Sequence, residues 1–151
     1  MDSLAIPLQP ARAMCYLQRP MLYLWIAVGS ALGGVARFWL AGWCATHVGD
    51  SFPWGTLIVN TSGSYAIGLI ATLSGSAGPW LLEPDARHFL MAGFCGGYTT
   101  FSSFSLQTLH LAHAGEPLKA AGNIVLSVVL CLVAVWLGHL TALAVGSSGK
   151  G

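Results

Sequence analysis

The stretch GFCGGYTTFSSF, residues 93–104, lies in the middle of a long apolar segment and determines how that segment folds. Its two adjacent glycines and two adjacent β-branched threonines are weak helix formers, so we expect the helix to break here. At membrane depth, backbone without helical hydrogen bonds survives only where it is buried in protein or lines a polar cavity. The freed carbonyl groups of such a break can hold a cation, as in transporters with discontinuous helices. The stretch therefore predicts a functional site inside the membrane.

The composition indicates an integral membrane protein. Of the 151 residues, 55% are hydrophobic and only 7% are charged, whereas a soluble domain carries about 25% charged residues. Several apolar stretches approach or exceed the roughly 20 residues that cross a bilayer as a helix. The net charge of +1 gives no basic surface for nucleic acid. The four cysteines have no CxxC spacing, which argues against a zinc site or a disulfide framework.

The predicted fold class is an all-α integral membrane protein with four transmembrane helices, the third of them broken. The spans cover about residues 22–44, 52–73, 88–113 and 118–145. The first span carries Gly29 and Gly33 at the spacing that lets two helix backbones approach closely. Residues 1–20 do not share the pattern and are predicted to be a flexible N-terminal extension. The four-helix domain then occupies residues 21–146, with Met21 a sensible start for it, and residues 147–151 form a C-terminal tail.

The basic residues near the span ends predict little bias in orientation. Lysine and arginine close to a span end set which side faces the cytoplasm. Counted from Met21, Arg87 and Lys150 lie on the side of the termini. Lys119 lies on the opposite side, and Arg37 is near enough to the far end of the first span to reach it. Two basic residues on each side of this compact domain make insertion in both directions plausible; Arg12 and Arg19 of the extension raise the count on the side of the termini to four.

Asn60 and two phenylalanines are candidates for contact with an anion, and each also has a simpler interpretation. Asn60 is the polar residue deepest in the second span, and its amide has two N–H donors. A membrane asparagine also commonly bonds one helix to another. Phe101 and Phe104 lie one turn apart on one helix face. Their positive ring edges suit a partly dehydrated anion, and ordinary aromatic packing explains the pair equally.

Three further polar residues are candidates for the same pathway. Ser102 and Ser105 could donate hydroxyl hydrogen bonds beside the phenylalanines, or could bond back to their own helix. Arg37 is the only arginine within the first span. A charge so placed could concentrate anions in a vestibule, or could anchor the structure near the membrane surface.

Four motifs in order along the chain resemble the bacterial fluoride channel family, often called Fluc or CrcB. The resemblance covers about residues 21–145, and the combination of motifs is highly specific although each alone would be weak. The N-terminal extension, Tyr98 and Ser103 are departures from the usual family pattern. The motifs are GGVARF (residues 33–38), FPWGTLIVN (52–60), GSY followed by a glycine (63–65 and 68), and the stretch at residues 93–104.

The resemblance implies a passive fluoride-selective channel in the bacterial inner membrane. It further implies an antiparallel dual-topology homodimer with two fluoride pathways and a central structural sodium ion. By the family pattern, backbone carbonyls of Gly96 and Thr99 from each subunit would bind that sodium. Hard oxygen ligands without a carboxylate suit a monovalent cation, although glycines here would also serve close packing without an ion. The resemblance assigns Phe101 and Phe104 to the fluoride path.

A dual-topology, proton-coupled exporter of small cations is the alternative function. Such a transporter needs a titratable carboxylate at membrane depth. The acidic residues near the spans all fall in predicted loops: Asp50, Glu83, Asp85 and Glu116. A membrane enzyme has less support still, because the sequence shows no serine–histidine–carboxylate or metal-binding constellation. The chain is therefore predicted to be a channel and not an enzyme.

Overall fold

The structure, a computed structural model, describes residues 20–75 and 82–148 of the chain. Every regular element within these ranges is helical. The predicted N-terminal extension lies outside the described residues apart from Pro20, as do residues 149–151 of the predicted tail. In chain order the elements are α1 (Pro20–His47), α2 (Trp54–Leu73), α3 (Pro84–His88), a π-helix (Phe89–Cys95), α4 (Gly96–Tyr98), α5 (Phe101–His113) and α6 (Pro117–Ser148).

Three helices are long and apolar enough to cross a membrane: α1, α2 and, over Pro117–Gly146, α6. Their positions agree with the first, second and fourth predicted spans. Pro53 precedes the first residue of α2, and Gly115 provides the turn before α6 with a φ of +77°, a conformation that suits glycine. An all-helical, membrane-spanning fold is therefore confirmed for the described part of the chain.

Residues 84–113, here called the broken segment, replace the predicted third span. The segment comprises α3, the π-helix, α4 and α5. It begins at Pro84, four residues before the predicted start at His88, because proline is well suited to the first position of a helix. Asp85 consequently lies in the first turn of α3 and not in a loop, so that detail of the sequence interpretation was wrong. The π-helix was not predicted.

The break itself lies at the threonines. Thr99 (φ −79°, ψ 154°) and Thr100 (φ −149°, ψ 116°) are both extended, which suits their β-branched side chains. Gly96 and Gly97, in contrast, remain helical within α4. The predicted break is confirmed, but the glycines do not form it.

The glycines instead allow α1 and the broken segment to touch backbone to backbone. A Cβ atom added to Gly93 would lie 3.1 Å from the Cα of Gly29, and one added to Gly97 would lie 2.7 Å from the Cα of Ser30. One added to Gly33 would lie 2.7 Å from the backbone nitrogen of Tyr98. The GxxxG spacing of α1 therefore packs against the broken segment of the same chain.

Two glycines of α2 place that helix between the break and α6. A side chain on Gly63 would collide with the Thr99 methyl group, and one on Gly68 would collide with the Val135 carbonyl oxygen of α6. From α6, a Cβ on Gly138 would lie 2.9 Å from the Leu69 nitrogen. Helix α2 is consequently held close to α6 along its length, with its polar Asn60 beside the break.

Candidate functional site at the helix break

The carboxamide of Asn60 bridges from α2 to the backbone of the break. The Thr100 N–H donates to Asn60 Oδ1 at 2.7 Å, and Asn60 Nδ2 donates to the Thr100 carbonyl oxygen at 3.0 Å. One side chain thus satisfies both the N–H and the carbonyl of an extended residue. Leaving these two groups unpaired in hydrocarbon would cost several kcal/mol. The expectation that Asn60 bonds one helix to another is confirmed. Its second amide N–H is not used by these two bonds.

The side chain of Thr100 starts the next helix. Its Oγ1 accepts a hydrogen bond from the Ser103 N–H at 3.2 Å, as an N-cap residue of α5. The hydroxyl of Thr99 turns the other way and donates to the Cys95 carbonyl oxygen at 2.9 Å. The two threonines therefore end one helix and begin the next within two residues.

Because of these hydrogen bonds, two backbone carbonyl groups lack the N–H donors that they would have in a continuous α-helix. In a continuous α-helix the Thr100 N–H would donate to the Gly96 carbonyl and the Ser103 N–H to the Thr99 carbonyl. Here the first donates to Asn60 and the second to the Thr100 hydroxyl. The carbonyls of Gly96 and Thr99, the two residues predicted to bind sodium, are thereby left without their helical donors.

A cavity of about 390 Å³, here called cavity 1, opens beside the break. It brings together five of the predicted site residues, contributed by α2, the break, α4 and α5: Asn60, Gly96, Thr99, Phe101 and Phe104. Ser64 of α2 and Ser127 of α6 also line it, and none of its described lining residues is charged. A small anion in this cavity would meet no charged side chain of the described chain, and Asn60 and Ser64 would offer it neutral donors.

The two phenylalanines lie at the wall of cavity 1 but differ in exposure. Their ring centroids are 5.2 Å apart and their planes are inclined by 53°. Phe104 is buried, with 8% of its surface exposed, whereas Phe101 is 78% exposed. The predicted pairing on one helix face is confirmed. Packing in a buried core accounts for the position of Phe104 but not for that of the exposed Phe101.

The remaining predicted pathway residues do not line cavity 1. Ser105 donates back to the Phe101 carbonyl oxygen at 2.9 Å, and Ser102 Oγ lies 3.2 Å from Thr100 Oγ1. Arg37 is half-buried on α1, where its guanidinium comes 4.0 Å from the position of a Cβ on Gly34. The structure therefore brings Ser102 to the cap of α5 and leaves Ser105 and Arg37 at a distance from the cavity.

A polar chain between α5 and α6 was missed by the sequence interpretation. Asn123 of α6 is only 1% exposed and donates from Nδ2 to Thr108 Oγ1 at 2.8 Å. Ser127, one turn further along α6, lies with its hydroxyl 3.4 Å from Asn123 Oδ1. The signal was present in the sequence, because Asn123 is the only asparagine of a largely apolar helix. Its role here is to hold α5, and so Phe104, against α6.

The described residues contain no cluster of three or more His, Cys, Asp or Glu side chains that could hold a metal. A cation at this site would therefore meet neutral oxygens and no carboxylate of the described chain. The freed carbonyls of Gly96 and Thr99 fit that chemistry, because hard neutral oxygens suit a monovalent ion better than a transition metal.

Comparison with known proteins shows a close relationship to one family. The family model described as "CrcB-like protein, Camphor Resistance (CrcB)" matches residues 24–139. A protein of Methylocella silvestris named "Fluoride-specific ion channel FluC" is 58% identical over 83% of this chain and 95% of its own length. Proteins with the same name from Rhodospirillum rubrum and Opitutus terrae are 58% and 57% identical, each over 83% of this chain and over 97% and 96% of their own lengths.

The Asn60–Thr100 pair makes a prediction about stability. Replacing Asn60 with leucine leaves the Thr100 N–H and carbonyl unpaired, at a cost of about 1–3 kcal/mol for each group. We therefore expect Asn60→Leu to lower the thermal unfolding midpoint of the detergent-solubilised protein markedly. Ser64→Ala is the matched control, because Ser64 also lines cavity 1 from α2 but its hydroxyl makes no hydrogen bond within the described chain. Equal midpoints for the two variants would contradict the bridging role.

Proposed function

This chain belongs to the CrcB family, and we propose that it is a fluoride-selective channel of the bacterial inner membrane. The observation that carries the proposal is cavity 1, where Asn60, Phe101 and Phe104 meet at a break in a helix. The relatives' printed names describe a fluoride-specific ion channel. On this proposal the chain is not an enzyme, and its activity is the passive export of fluoride.

Passive export suffices because of the acid chemistry of hydrogen fluoride. The uncharged acid crosses membranes and dissociates in the more alkaline cytoplasm, where the anion is trapped. The negative interior potential then drives fluoride outward, with about 2.3 kcal/mol available per charge for every 100 mV. A selective channel therefore lowers the toxic load without a coupled energy source.

Neutral donors of cavity 1 provide the proposed path. Asn60 keeps one amide N–H free of the bridge to Thr100, and the Ser64 hydroxyl has no partner within the described chain. The edges of the Phe101 and Phe104 rings are weakly positive and can accompany a partly dehydrated anion without holding it tightly. Conduction requires such a balance, since binding must be strong enough to admit the ion and weak enough to release it. Ser102, Ser105 and Arg37 remain proposed contributors outside cavity 1.

A second, antiparallel copy of the chain is proposed to complete the path. Phe101 is 78% exposed beside cavity 1, so one copy supplies only part of the wall. The broken segment would be the third of four spans, giving a chain that crosses the membrane four times. The near-balanced basic residues are compatible with insertion both ways, and two opposed copies would imitate an inverted repeat.

The proposed dimer would also create the sodium site. Gly96 and Thr99 of each copy would offer the carbonyls whose helical donors are diverted to Asn60 and Thr100. A sodium ion bound there would neutralise four inward-facing carbonyl dipoles and join the two breaks. We regard it as structural, since the neutral donors of cavity 1 are sufficient to accompany the transported ion.

The proton-coupled exporter has less support from the structure. Within the described chain α1, α2, α5 and α6 contain no aspartate or glutamate. Asp50 lies between α1 and α2, Glu83 precedes α3, and Glu116 precedes α6. Cavity 1 consequently has no carboxylate to carry a proton.

Fluoride efflux from liposomes tests the proposed function directly. We expect the purified protein to release fluoride, measured with a fluoride electrode, once valinomycin sets a potassium potential and without any pH gradient. Chloride-loaded liposomes should release their anion far more slowly, because the proposed path would fit a small dehydrated anion and exclude the larger chloride. Release of chloride as fast as fluoride would overturn the selectivity, and dependence on a proton gradient would overturn the channel mechanism.

Phe101 and Phe104 are expected to matter for flux and not for folding. Phe101→Ile and Phe104→Ile keep an apolar side chain but remove the ring edge, so each should sharply reduce fluoride efflux. The accompanying loss of stability should stay below about 1.5 kcal/mol, as for other apolar replacements of similar volume. Phe94→Ile is the control, because Phe94 stacks on Tyr98 at 5.9 Å and does not line cavity 1. Normal fluoride efflux in both Phe101→Ile and Phe104→Ile would show that the two rings serve packing only.

A further inference from the structure

Tyr98, the last residue of α4, makes a second polar contact between the broken segment and α2. Its hydroxyl oxygen lies 2.9 Å from Ser62 Oγ. The Ser62 hydroxyl hydrogen is directed at its own helix, toward the Ile58 carbonyl oxygen at 2.8 Å. Since a hydroxyl group has one hydrogen to donate, the Tyr98 O–H is the donor and Ser62 Oγ the acceptor. A side-chain hydrogen bond thus joins α4 to α2.

The two polar contacts with α2 lie on either side of Thr99. Asn60 bonds to the backbone of Thr100, the residue after Thr99. Ser62, two positions along α2, bonds to the side chain of Tyr98, the residue before it. The first contact fixes the peptide group that joins Thr99 to Thr100, and with it the Thr99 carbonyl. The second fixes the end of α4, the helix that carries the Gly96 carbonyl.

The end of α4 depends on side-chain contacts for its position. Helix α4 spans only three residues and stops at the extended Thr99, so its carbonyls receive no donors from a following turn. The ring of Tyr98 is closely packed, because a Cβ added to Gly63 of α2 would lie 3.1 Å from its Cδ1 atom. The hydroxyl at the far end of this ring then ties α4 to Ser62.

We propose that Tyr98 and Ser62 are positioning residues for the sodium site, because their bond holds the end of α4 in the arrangement that a cation binds. The inference rests on the proposed function, which assigns sodium to the Gly96 and Thr99 carbonyls. Gly96 is exposed in the single chain, which leaves this end of α4 open toward a second copy. With the Tyr98–Ser62 bond in place, sodium binds carbonyls that are already ordered. Without it, part of the binding free energy goes into ordering α4.

The sodium dependence of thermal stability tests this role without a measurement of fluoride efflux. The full chain in detergent is unfolded by heat at increasing sodium concentrations, with choline replacing sodium to keep the ionic strength constant. The wild-type midpoint should rise with sodium, and the concentration that gives a chosen rise is proportional to the dissociation constant. Tyr98→Phe keeps the ring and removes only the hydroxyl. We expect it to raise that sodium concentration about tenfold, as for the loss of a residue that orients a metal ligand.

Two further variants separate positioning from a general loss of stability. Ser62→Ala should raise the sodium requirement as Tyr98→Phe does, and the double variant should add little, because both changes remove the same bond. Tyr65→Phe is the matched control, since the Tyr65 hydroxyl donates to Thr141 Oγ1 at 3.2 Å and joins α2 to α6. Without sodium, Tyr65→Phe should lower the midpoint about as much as Tyr98→Phe. Its sodium requirement should stay that of the wild type.

The outcomes distinguish this inference from the proposed function. An unchanged sodium requirement in Tyr98→Phe, or equal increases in Tyr98→Phe and Tyr65→Phe, would overturn the positioning role alone. A wild-type midpoint that does not respond to sodium would overturn the proposed sodium site and the positioning role together. Fluoride efflux by that same wild-type protein would then show that the proposed channel activity stands without them.

Discussion

The pair of hydrogen bonds between Asn60 and Thr100 is the interaction on which the rest of the structure depends. Hydrocarbon offers no water to satisfy an interrupted helix, so the break at Thr99 and Thr100 needs a partner from another element. Asn60 provides it by donating to the Thr100 carbonyl and accepting from the Thr100 N–H. With the backbone of Thr100 satisfied, its side chain is free to cap α5, and that cap sets the direction in which Phe101 and Phe104 leave the break.

The same interaction joins two interpretations that the sequence left as alternatives. In bonding α2 to the break, Asn60 uses its carboxamide oxygen and one of its two amide N–H groups on Thr100. The other amide N–H remains for the proposed contact with an anion. The bonding role also frees the Gly96 and Thr99 carbonyls by diverting their donors. One side chain therefore leaves one N–H for the proposed anion and, a few residues away, two carbonyl acceptors for the proposed cation.

Much of the site could be predicted from the sequence because its chemistry depends on rare residue types. A polar Asn60 in an apolar span, paired threonines and a Phe101–Phe104 spacing of one turn are each visible without a structure. The motif at residues 93–104 was correctly expected to break, but the glycines within it pack against Gly29 and Ser30. Helix propensity is low for both glycine and threonine. It therefore cannot tell which of these residues interrupts the helix and which allows close packing within it.

Other features depend on tertiary contacts that no local pattern records. The π-helix at Phe89–Cys95 faces the small residues of α1, and its extra residue per turn leaves no mark in the hydrophobic spacing. Asn123 was visible as the only asparagine of α6, but only the fold shows that it bonds to Thr108.

The central claim is that cavity 1, which is open beside Phe101, becomes a channel only when an antiparallel second copy of the chain covers it. Orientation control tests this most directly, because two arginines added beside Glu83 or beside Gly115 lie on opposite sides of the membrane and bias insertion oppositely. With each bias verified by cysteine accessibility, we predict that either protein alone releases no fluoride and that the two co-expressed proteins restore release. Normal fluoride release by a protein shown to insert in a single orientation would contradict the claim.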